Sequence, residues 1–368
     1  MTQVTNDNNA EVSSGAEPTG GPTAAASGID PGAPGAPGAL MAAEIAEQPA
    51  IFAGLLRAAD AIAEVADVVR ARSPRFVLLA ARGTSDHAAL YAKYLVETRL
   101  GLPAGLASPS TMTLYGSRPD LRDVLFLGVS QSGASPDLVD SLTVAGECGA
   151  TTVAVTNDPR SALASAAEFD VDVRAGVEKA VAATKTYTAE LLALYLLLGG
   201  SAEAAAALPD AATATLALDD AVPVAAARYR FAERLVTTGR GFGYPTARES
   251  ALKLMETSYL SAQAFSTADL LHGPLAMIDS GVPVIAVATP DAGGEAVTPV
   301  VEQLRGSGAD VLVVGEKQEL PVVRDGVPAE LAPVLDILPL QRLARQIALD
   351  RGENPDRPRG LSKVTHTR

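Results

Sequence analysis

A hydroxyl-rich turn at Ser130–Gly133 is the first segment whose residue types could do chemistry. It reads Ser-Gln-Ser-Gly, follows an apolar run directly, and precedes Ser135–Asp137, a helix start with an N-cap hydroxyl, an early proline and a first-turn acid. Hydroxyls, backbone N–H groups and the positive end of a helix dipole would meet here, which favours a phosphate monoester as ligand. A plain strand-to-helix turn has the same composition, so the chemistry alone gives both interpretations similar weight.

A second turn of the same kind, Gly83–Ser85, lies one crossover earlier in the chain. Sheets of α/β proteins bind ligands beyond the carboxyl ends of their strands, and two hydroxyl-rich turns at neighbouring strand ends fit that rule. Together the two turns favour phosphate over an empty structural turn.

Three charged residues in the second half of the chain, Glu249, Lys253 and Glu256, are spaced by four and three positions and therefore share one face of a helix. Taken alone, this spacing favours a solvated ladder of salt bridges, which contributes only a few tenths of a kcal/mol. His272 stands alone in a loop before an apolar run. A histidine in that position is more often structural than catalytic.

Lysine is scarce in this chain, with six residues among the 29 basic ones. A site that needs a primary amine would explain a retained lysine, because arginine stays protonated and cannot form a Schiff base; chance is the other explanation. Lys363 lies in a Pro/Arg-rich tail, and composition alone predicts a frayed terminus there.

Short apolar runs alternate with Ala/Leu-rich stretches along the chain, a pattern that predicts an α/β fold with parallel strands joined by crossover helices. The predicted strands are Phe76–Ala80, Val124–Val129, Thr152–Thr156, Phe169–Val173, Leu235–Thr238, Val284–Thr289 and Asp310–Gly315, and the predicted helices lie near 42–70, 86–98, 136–148, 186–198, 246–260 and 294–306.

The second set of elements repeats the first at a nearly constant offset. Arg82–Gly83 lies between a predicted strand and helix, as does Arg240–Gly241 158 positions later, and the strand ends Ser130 and Thr289 are 159 positions apart. Such an offset predicts a duplicated domain, each copy a mainly parallel doubly wound sheet between two layers of helices, with the Ala/Asp-rich stretch 201–222 as the join.

The length of the chain limits the number of domains, and its net charge limits the class of partner. The 368 residues suggest two domains at roughly 150 residues each. We expect the first at 41–205 and the second at 206–355, between a disordered Ala/Gly/Pro-rich arm at 1–40 and a tail at 356–368. The net charge of −14 argues against a nucleic-acid partner, because binding to the phosphate backbone needs a basic surface.

The remaining composition points to a cytoplasmic protein. Cys148 is the single cysteine, which excludes an intramolecular disulfide framework, and three histidines are too few for a typical zinc site. No uninterrupted apolar stretch approaches the roughly 18 residues of a membrane span. No Lys or Arg precedes Arg57, so the charged segment of a secretory signal is missing. We therefore predict no metal, no membrane partner and no export.

The motifs together resemble the double SIS (sugar isomerase) domain, found in the isomerase part of glutamine:fructose-6-phosphate aminotransferase and in related stand-alone glucosamine-6-phosphate deaminases and isomerases. The resemblance spans about residues 41–368. It rests on Met41 with Glu44–Pro49, Arg82–Ser85, Ser130–Gly133, Val181–Lys185, Arg240–Gly241, Glu249–Glu256, His272–Ala276 and Pro358–Lys363.

The resemblance implies a role for each matched residue. A hydroxyl-rich cradle for the sugar phosphate is matched by Thr84, Ser85, Ser130, Gln131, Ser132 and Ser135, with Val181 and Ala183 beside it. Glu256 matches the base that moves a proton between C1 and C2, with Lys253 next to it, and Lys363 matches the tail lysine that forms a Schiff base with a ketose. His272 matches the ring-opening residue, which in the family comes from the neighbouring subunit, so a homodimer is expected. Carboxylate, imidazole and amine suffice for this proton transfer, so no metal or organic cofactor is expected.

Departures from the family pattern leave the substrate open. The glutaminase domain and its nucleophilic cysteine are not matched, and Thr2 follows the initiator, so no glutamine hydrolysis is expected. Ala183 stands where the synthase pattern has Ser, Asp269 replaces a Glu three residues before the histidine, and Ser135 replaces a more usual Thr.

The expected activity is conversion of glucosamine 6-phosphate, or a close aminosugar phosphate, to fructose 6-phosphate and ammonia. The alternatives are a synthase-like aminotransferase fed by ammonia or by a partner, a fructosamine-6-phosphate deglycase, and a non-catalytic phosphosugar-binding regulator. The catalytic set Glu256, His272 and Lys363 argues against the regulator, which would need only the phosphate cradle.

Overall fold

The computed structural model describes residues 35–218 and 220–363. Most of the predicted arm at 1–40 lies outside the described residues, and the first helix begins at Ala39, close to the predicted start of the folded chain. The α/β class expected from the sequence is confirmed: parallel strands alternate with helices in both halves.

Two successive runs of elements make up the fold. The first contains α1 Ala39–Arg57, α2 Ala59–Ala71, β1 Phe76–Ala80, α3 Thr84–Leu95, β2 Ala104–Leu106, α4 Pro109–Thr113, β3 Val124–Ser130, α5 Pro136–Glu147, β4 Thr151–Thr156, α6 Ala162–Ala166, β5 Phe169–Asp172 and α7 Lys185–Leu197. The second contains α8 Leu208–Leu216, α9 Ala221–Tyr229, β6 Arg234–Gly239, α10 Gly243–Ser258, β7 Ser261–Ser266, α11 Thr267–Leu271, β8 Val284–Val287, α12 Ala292–Gly306, β9 Val311–Gly315, β10 Leu320–Pro321 and α13 Ala332–Asp350.

The two sheets have the same topology, which confirms the internal duplication. The first has the order β2-β1-β3-β4-β5 and the second β10-β9-β8-β6-β7, which is the same order read from the other edge. All strand pairs are parallel. In each sheet the second strand of the chain pairs with one side of the first strand, and the third strand pairs with the other side of the first. The strand order therefore switches between β1 and β3, where α/β sheets leave a crevice for ligands.

A continuous apolar core joins the halves. The largest buried cluster includes residues of β1, β3, α7, α10 and α13. Every residue of α7 is buried, and α13 packs against α1, α8, α9 and α10. The site at the switch point is therefore supported by helices of both halves.

Helix α1 is held at its start by the returning tail. Asp356 accepts hydrogen bonds from the backbone N–H groups of Leu40 (3.1 Å) and Met41 (2.8 Å), which satisfies donors that a helix N-terminus leaves open. Within the described ranges, α1 is the one helix long and apolar enough to cross a membrane. One face of α1, which includes Phe52 and Leu55, is buried in the protein core.

Three features of the predicted elements need correction. The predicted helix 42–70 is two helices, α1 and α2, separated at Ala58, whose backbone leaves helical geometry (φ −103°, ψ 12°) without any Gly or Pro to mark the break. The predicted join 201–222 holds helix α8. Helix α13 was not predicted, because Pro339 suggests a break and the helix carries apolar side chains on most sides.

Three edge strands were also not predicted. These are β2, β7 and β10, which form sheet edges. Strand β7 reads Ser-Ala-Gln-Ala-Phe-Ser and lacks the run of large apolar residues that marked the central strands. The seven predicted strands end within about two residues of those in the structure.

Candidate active site

One pocket of about 370 Å³ lies where β1 and β3 end, within the size range of small-molecule sites. Strand β1 is paired with β3 along the whole length of β1, with Ala80 opposite Gly128, so the two hydroxyl-rich turns that follow these strands lie side by side. The pocket is lined by Arg82, Gly83, Thr84, Ser85, Ser130, Gln131, Ser132, Ser135, Val181, Ala183, Glu256, Leu361, Ser362 and Lys363. The structure thus brings together all the site residues predicted from the sequence except Lys253 and His272.

Two glycines shape the turns that floor the pocket. Gly83 has φ 56° and ψ −130°, a conformation that side chains with a Cβ rarely adopt. Gly133 has φ +57°, and a Cβ there would lie 2.2 Å from Ser161 Oγ. Both positions therefore require glycine if the backbone is to follow the pocket wall.

The serine hydroxyls of the second turn are held by backbone donors. Ser130 Oγ accepts from the N–H of Gly133 (3.2 Å), and Ser132 Oγ accepts from the N–H of Ala134 (3.3 Å). A serine oxygen that accepts a hydrogen bond from the protein can turn its own O–H toward an acceptor in the pocket. This arrangement suits a ligand rich in acceptors, such as a phosphate.

Arg82 contributes a guanidinium to the pocket wall that the sequence analysis did not count as a site residue. Its Nε donates to Asp137 Oδ2 at 2.9 Å, and its side chain is half exposed whereas Asp137 is buried. The signal was present in the sequence, because Arg82 immediately precedes the hydroxyl-rich turn. Its charge is compensated by the carboxylate of Asp137.

A buried charged network lies beneath the pocket, so the solvated ladder that the spacing of Glu249, Lys253 and Glu256 favours when taken alone is wrong. Glu249 and Lys253 are fully buried, while the side chain of Glu256 keeps 22% of its exposure and reaches the pocket. Lys253 Nζ lies 3.4 Å from Glu249 and contacts Glu256. The helix face points inward because α10 packs against both α3 and α13.

Lys253 remains a cation in this network. Burial opposes the charged form, but Glu249 and Glu256 outweigh burial and raise the pKa of Lys253 above its ordinary value. Its ammonium also donates to Thr84 Oγ1 at 3.1 Å, and Thr84 donates its single hydroxyl proton to Glu249 at 3.1 Å. His87 Nδ1 lies 2.7 Å from the other oxygen of Glu249.

The tail returns to the pocket as an ordered segment up to Lys363. The frayed terminus that composition alone predicts is therefore wrong for this part of the tail. Lys363 Nζ donates to Glu178 Oε2 (3.0 Å) and to the carbonyl of Ala180 (2.7 Å). Earlier in the tail, the N–H of Arg359 donates to the hydroxyl of Tyr259 at 2.8 Å. Residues 364–368 of the predicted tail lie outside the described residues.

Glu190 is a second buried carboxyl next to the pocket. Its side chain lies 2.8 Å from the hydroxyl of Ser85, which lines the pocket. Burial, with further repulsion from Glu178 and Glu249, raises the pKa of Glu190 well above its ordinary value, although the hydrogen bond with Ser85 opposes the shift.

His272 lies apart from this pocket within one chain. It follows helix α11, its side chain is exposed, and it is not part of the pocket wall. A neighbouring pocket of about 630 Å³ shares Arg82 and Gly83 with the first and also includes His87 and Arg248 in its wall.

Sequence reasoning missed four site residues: Arg82, His87, Glu178 and Glu190. Three of them, His87, Glu178 and Glu190, are buried ionisable residues. Glu190 directly precedes the apolar run Leu191–Leu198. A single carboxyl on an otherwise apolar helix is a sequence signal for a buried, partnered group.

The fold and the pocket define a doubly wound α/β protein with its ligand crevice at the switch point of the first sheet. A family model described as the SIS domain matches residues 72–199 and 229–344. The chain therefore belongs to the SIS domain family, and each match covers one of the two sheets.

Known relatives include a glutamine–fructose-6-phosphate aminotransferase (isomerizing) from Symbiobacterium thermophilum. It is 36% identical over 358 residues, which cover 88% of this chain and 58% of the relative. The chain spans little more than half the length of the curated relatives it matches.

Two solved structures match nearly over their full length. A candidate phosphosugar isomerase from Silicibacter pomeroyi has a TM-score of 0.80 and 36% identity, with 86% of this chain and 99% of that chain covered. A glucosamine-6-phosphate deaminase from Thermotoga maritima has a TM-score of 0.67 over 89% of this chain and 100% of that chain. At 22% identity the second match shows a shared fold alone.

Proposed function

We propose that this protein converts glucosamine 6-phosphate, or a close aminosugar phosphate, into fructose 6-phosphate and ammonia. The observation that carries the proposal is that Glu256 and Lys363 line the same pocket as the two hydroxyl-rich turns. A carboxylate and an amine next to an anion cradle are the groups needed for proton transfer and imine chemistry on a sugar phosphate.

The phosphate of the substrate would sit against the turns that follow β1 and β3. Ser130 and Ser132 can donate their hydroxyl protons, and the N-termini of α3 and α5 add the positive ends of two helix dipoles. The sugar chain would then extend toward Glu256 on α10 and Lys363 in the tail. Holding the phosphate in this way fixes the reacting carbons beside the base.

Glu256 would act as the proton shuttle. In the open-chain aldose it removes the proton from C2 and returns it to C1, while one N–H proton of the C2 amine moves to the C1 oxygen. The C1 aldehyde thereby becomes an alcohol and the C2 amine becomes an imine. Lys253 contacts Glu256 from below and is fixed by Glu249, which holds the carboxylate in place. The step is an internal redox exchange between C1 and C2 and requires no external oxidant.

Ammonia would leave from C2. Lys363 gives one proton to Glu178, and its neutral amine then attacks the C2 imine. The two remaining amine protons move to the imine nitrogen, which departs as ammonia. Water then hydrolyses the new Schiff base to fructose 6-phosphate and free lysine. Glu178 and the carbonyl of Ala180 hold the Lys363 amine at the pocket wall before substrate enters.

Ring opening is assigned to His272 of a second copy in a homodimer. The support is geometric: His272 is exposed in its own chain, and the neighbouring pocket that shares Arg82 and Gly83 has room for a segment of another subunit. Met255 beside that pocket and Leu271 beside His272 are apolar side chains more than 40% exposed. A cytoplasmic location and independence from metals and organic cofactors remain predictions of this proposal.

Dimer assembly can be tested by complementation. Glu256→Gln and His272→Ala chains are each expected to be inactive, while a randomly mixed dimer contains one intact site. An equal mixture should recover about a quarter of the wild-type activity after exchange of subunits. Recovery of no activity, with mixed dimers shown by mass spectrometry, would contradict the shared site.

The activity is tested by incubating the purified protein with glucosamine 6-phosphate and measuring ammonia and fructose 6-phosphate in parallel. The two products should appear in equal amounts, and Glu256→Gln should lose at least about a hundredfold in kcat, the range of a general acid–base contribution. No ammonia above that of the Glu256→Gln variant would refute the proposal.

A substrate panel separates the alternatives. Release of ammonia from galactosamine 6-phosphate, or of an amino acid from glycated sugar phosphates, would move the substrate within the same chemistry. Amination of fructose 6-phosphate by added ammonia would identify the synthase direction. Tight binding of a phosphosugar without turnover of any panel member would identify a regulator.

A further inference from the structure

Glu190 is a buried carboxyl that the proposed reaction does not use. It lies on α7, is fully buried, and touches Ser85 through one oxygen, Oε1 (2.8 Å). Its other oxygen, Oε2, is buried with no hydrogen-bond partner among the described residues. A carboxylate so placed would carry a full charge with a single hydrogen bond to compensate it, which is strongly unfavourable.

The charged groups around Glu190 add to that cost. Glu178 approaches from the loop before α7 and Glu249 from α10, and both repel a negative charge on Glu190. The nearby cation of α10, Lys253, has its described contacts with Thr84, Glu249 and Glu256. His87 on α3 pairs with Glu249. The described surroundings therefore favour a neutral acid.

A neutral Glu190 changes what Ser85 can do. A protonated carboxyl has one O–H donor, and placing the proton on Oε1 gives that donor a partner, whereas placing it on Oε2 leaves a buried donor unsatisfied. Glu190 then donates to Ser85 Oγ. The hydroxyl proton of Ser85 is then available to a ligand in the pocket. An ionised Glu190 would instead accept that proton in a hydrogen bond and turn it away from the pocket.

The other hydroxyls of the pocket support this direction. Ser130 and Ser132 both accept from the protein and keep their protons for the pocket. Thr84 does the opposite, because it gives its proton to Glu249 and accepts from Lys253. Ser85 is therefore the hydroxyl of the first turn that can donate to a phosphate, and its direction depends on Glu190.

We propose that Glu190 is a positioning residue that, as a neutral acid, donates to Ser85 and turns the Ser85 hydroxyl toward the phosphate of the substrate. This inference rests on the proposed function, because it assumes that a phosphate occupies the pocket. It adds a protein group that controls phosphate affinity without touching the ligand.

Calorimetric titration with fructose 6-phosphate, and with inorganic phosphate as a second probe, tests the inference. Glu190→Met keeps the shape but removes the donor, and we expect the dissociation constant to rise about tenfold, the effect of losing one hydrogen bond to a charged group. Glu190→Gln, whose amide can donate to Ser85, should restore affinity to within about threefold of the wild type. In a Ser85→Ala background the Met substitution should have no further effect, because the hydroxyl it acts through is gone.

The outcomes separate this inference from the proposed function. Wild-type protein that binds neither probe would overturn both. Wild-type binding together with an unchanged dissociation constant in Glu190→Met, or an equal loss in the Ser85→Ala background, would overturn the role of Glu190 alone.

A second measurement does not depend on the Met variant folding. Infrared difference spectra at neutral pH should contain a protonated-carboxyl C=O band that is missing in Glu190→Gln and that shifts when inorganic phosphate is added. The Gln variant should melt at a temperature close to that of the wild type. A band that is unchanged by the Gln substitution would show that Glu190 is ionised and would overturn the inference.

Discussion

Replacing Lys253 by methionine should strongly destabilise the protein. Lys253 Nζ lies 3.4 Å from Glu249, and both side chains are essentially without exposure. At an effective dielectric constant of about 20, two unit charges at this distance attract by about 5 kcal/mol. Desolvation of the two ions costs a similar amount, so the intact pair contributes little net stability.

Removal of one partner breaks this balance. Lys253→Met leaves the fully buried carboxylate of Glu249 without its cation, and we expect the free energy of unfolding to fall by about 3–5 kcal/mol. Adding Glu249→Gln removes the uncompensated charge as well. The double variant should therefore be more stable than the Lys253→Met single variant, with a coupling of about 2 kcal/mol or more.

Denaturant unfolding followed by circular dichroism measures these differences. Lys317→Met is the matched control, because Lys317 is 90% exposed and its replacement should change the free energy of unfolding by less than about 0.5 kcal/mol. A Lys253→Met variant as stable as the Lys317 control, or a double variant less stable than the single one, would show that Glu249 does not depend on Lys253 for compensation of its charge.

Two further predictions concern a turn and a second buried ion pair. Gly133→Ala should weaken both folding and phosphate binding, because the new Cβ would lie 2.2 Å from Ser161. Gly116→Ala is the control, since Gly116 has a similar φ of +64° but open space around it. The difference between the two variants in unfolding and binding titrations measures the effect of the clash. Burial raises the pKa of Asp336 to about 6 although Arg324 opposes the shift. Since the folded pKa exceeds the unfolded value of about 3.9, the contribution of Asp336 to stability is fully present below that value and is lost as the pH rises through 6. Denaturant unfolding between pH 4 and 7 should show this loss relative to Asp336→Asn, and a constant difference would contradict it.

The central strands of both sheets could be predicted because their signals are local. Runs such as Val124–Val129 are apolar on both faces, as parallel strands covered by helices require, and each ends at a turn marked by hydroxyls or glycine. The spacing of the motifs predicted the duplication but not the order of the strands within each sheet. Edge strands such as β7 and the helix break at Ala58 depend on tertiary contacts, and the residues at those positions carry no local sequence signal for a strand or a break.

The pocket-lining residues that follow strand ends could be predicted from their positions in the chain. The orientation of the charged face of α10 could not be predicted from its spacing. Glu249, Lys253 and Glu256 have the spacing of an exposed ladder, and only the packing of α10 between α3 and α13 turns that face inward. Spacing defines which residues share a face, but the neighbouring helices decide whether that face meets water.

The buried carboxyls around the pocket explain how an acidic chain could hold a dianion. Three carboxyls are compensated in two ways: Glu178 and Glu249 by the lysines Lys363 and Lys253, and Glu190, as proposed, by its own proton. The guanidinium of Arg82 is likewise compensated, by Asp137. The pocket therefore offers little net positive charge, and attraction of a phosphate must come from hydroxyl protons and helix N-termini. Donors of that kind act at short range and depend on orientation, which is why a residue such as Glu190 that controls one hydroxyl direction can matter as much as a cation.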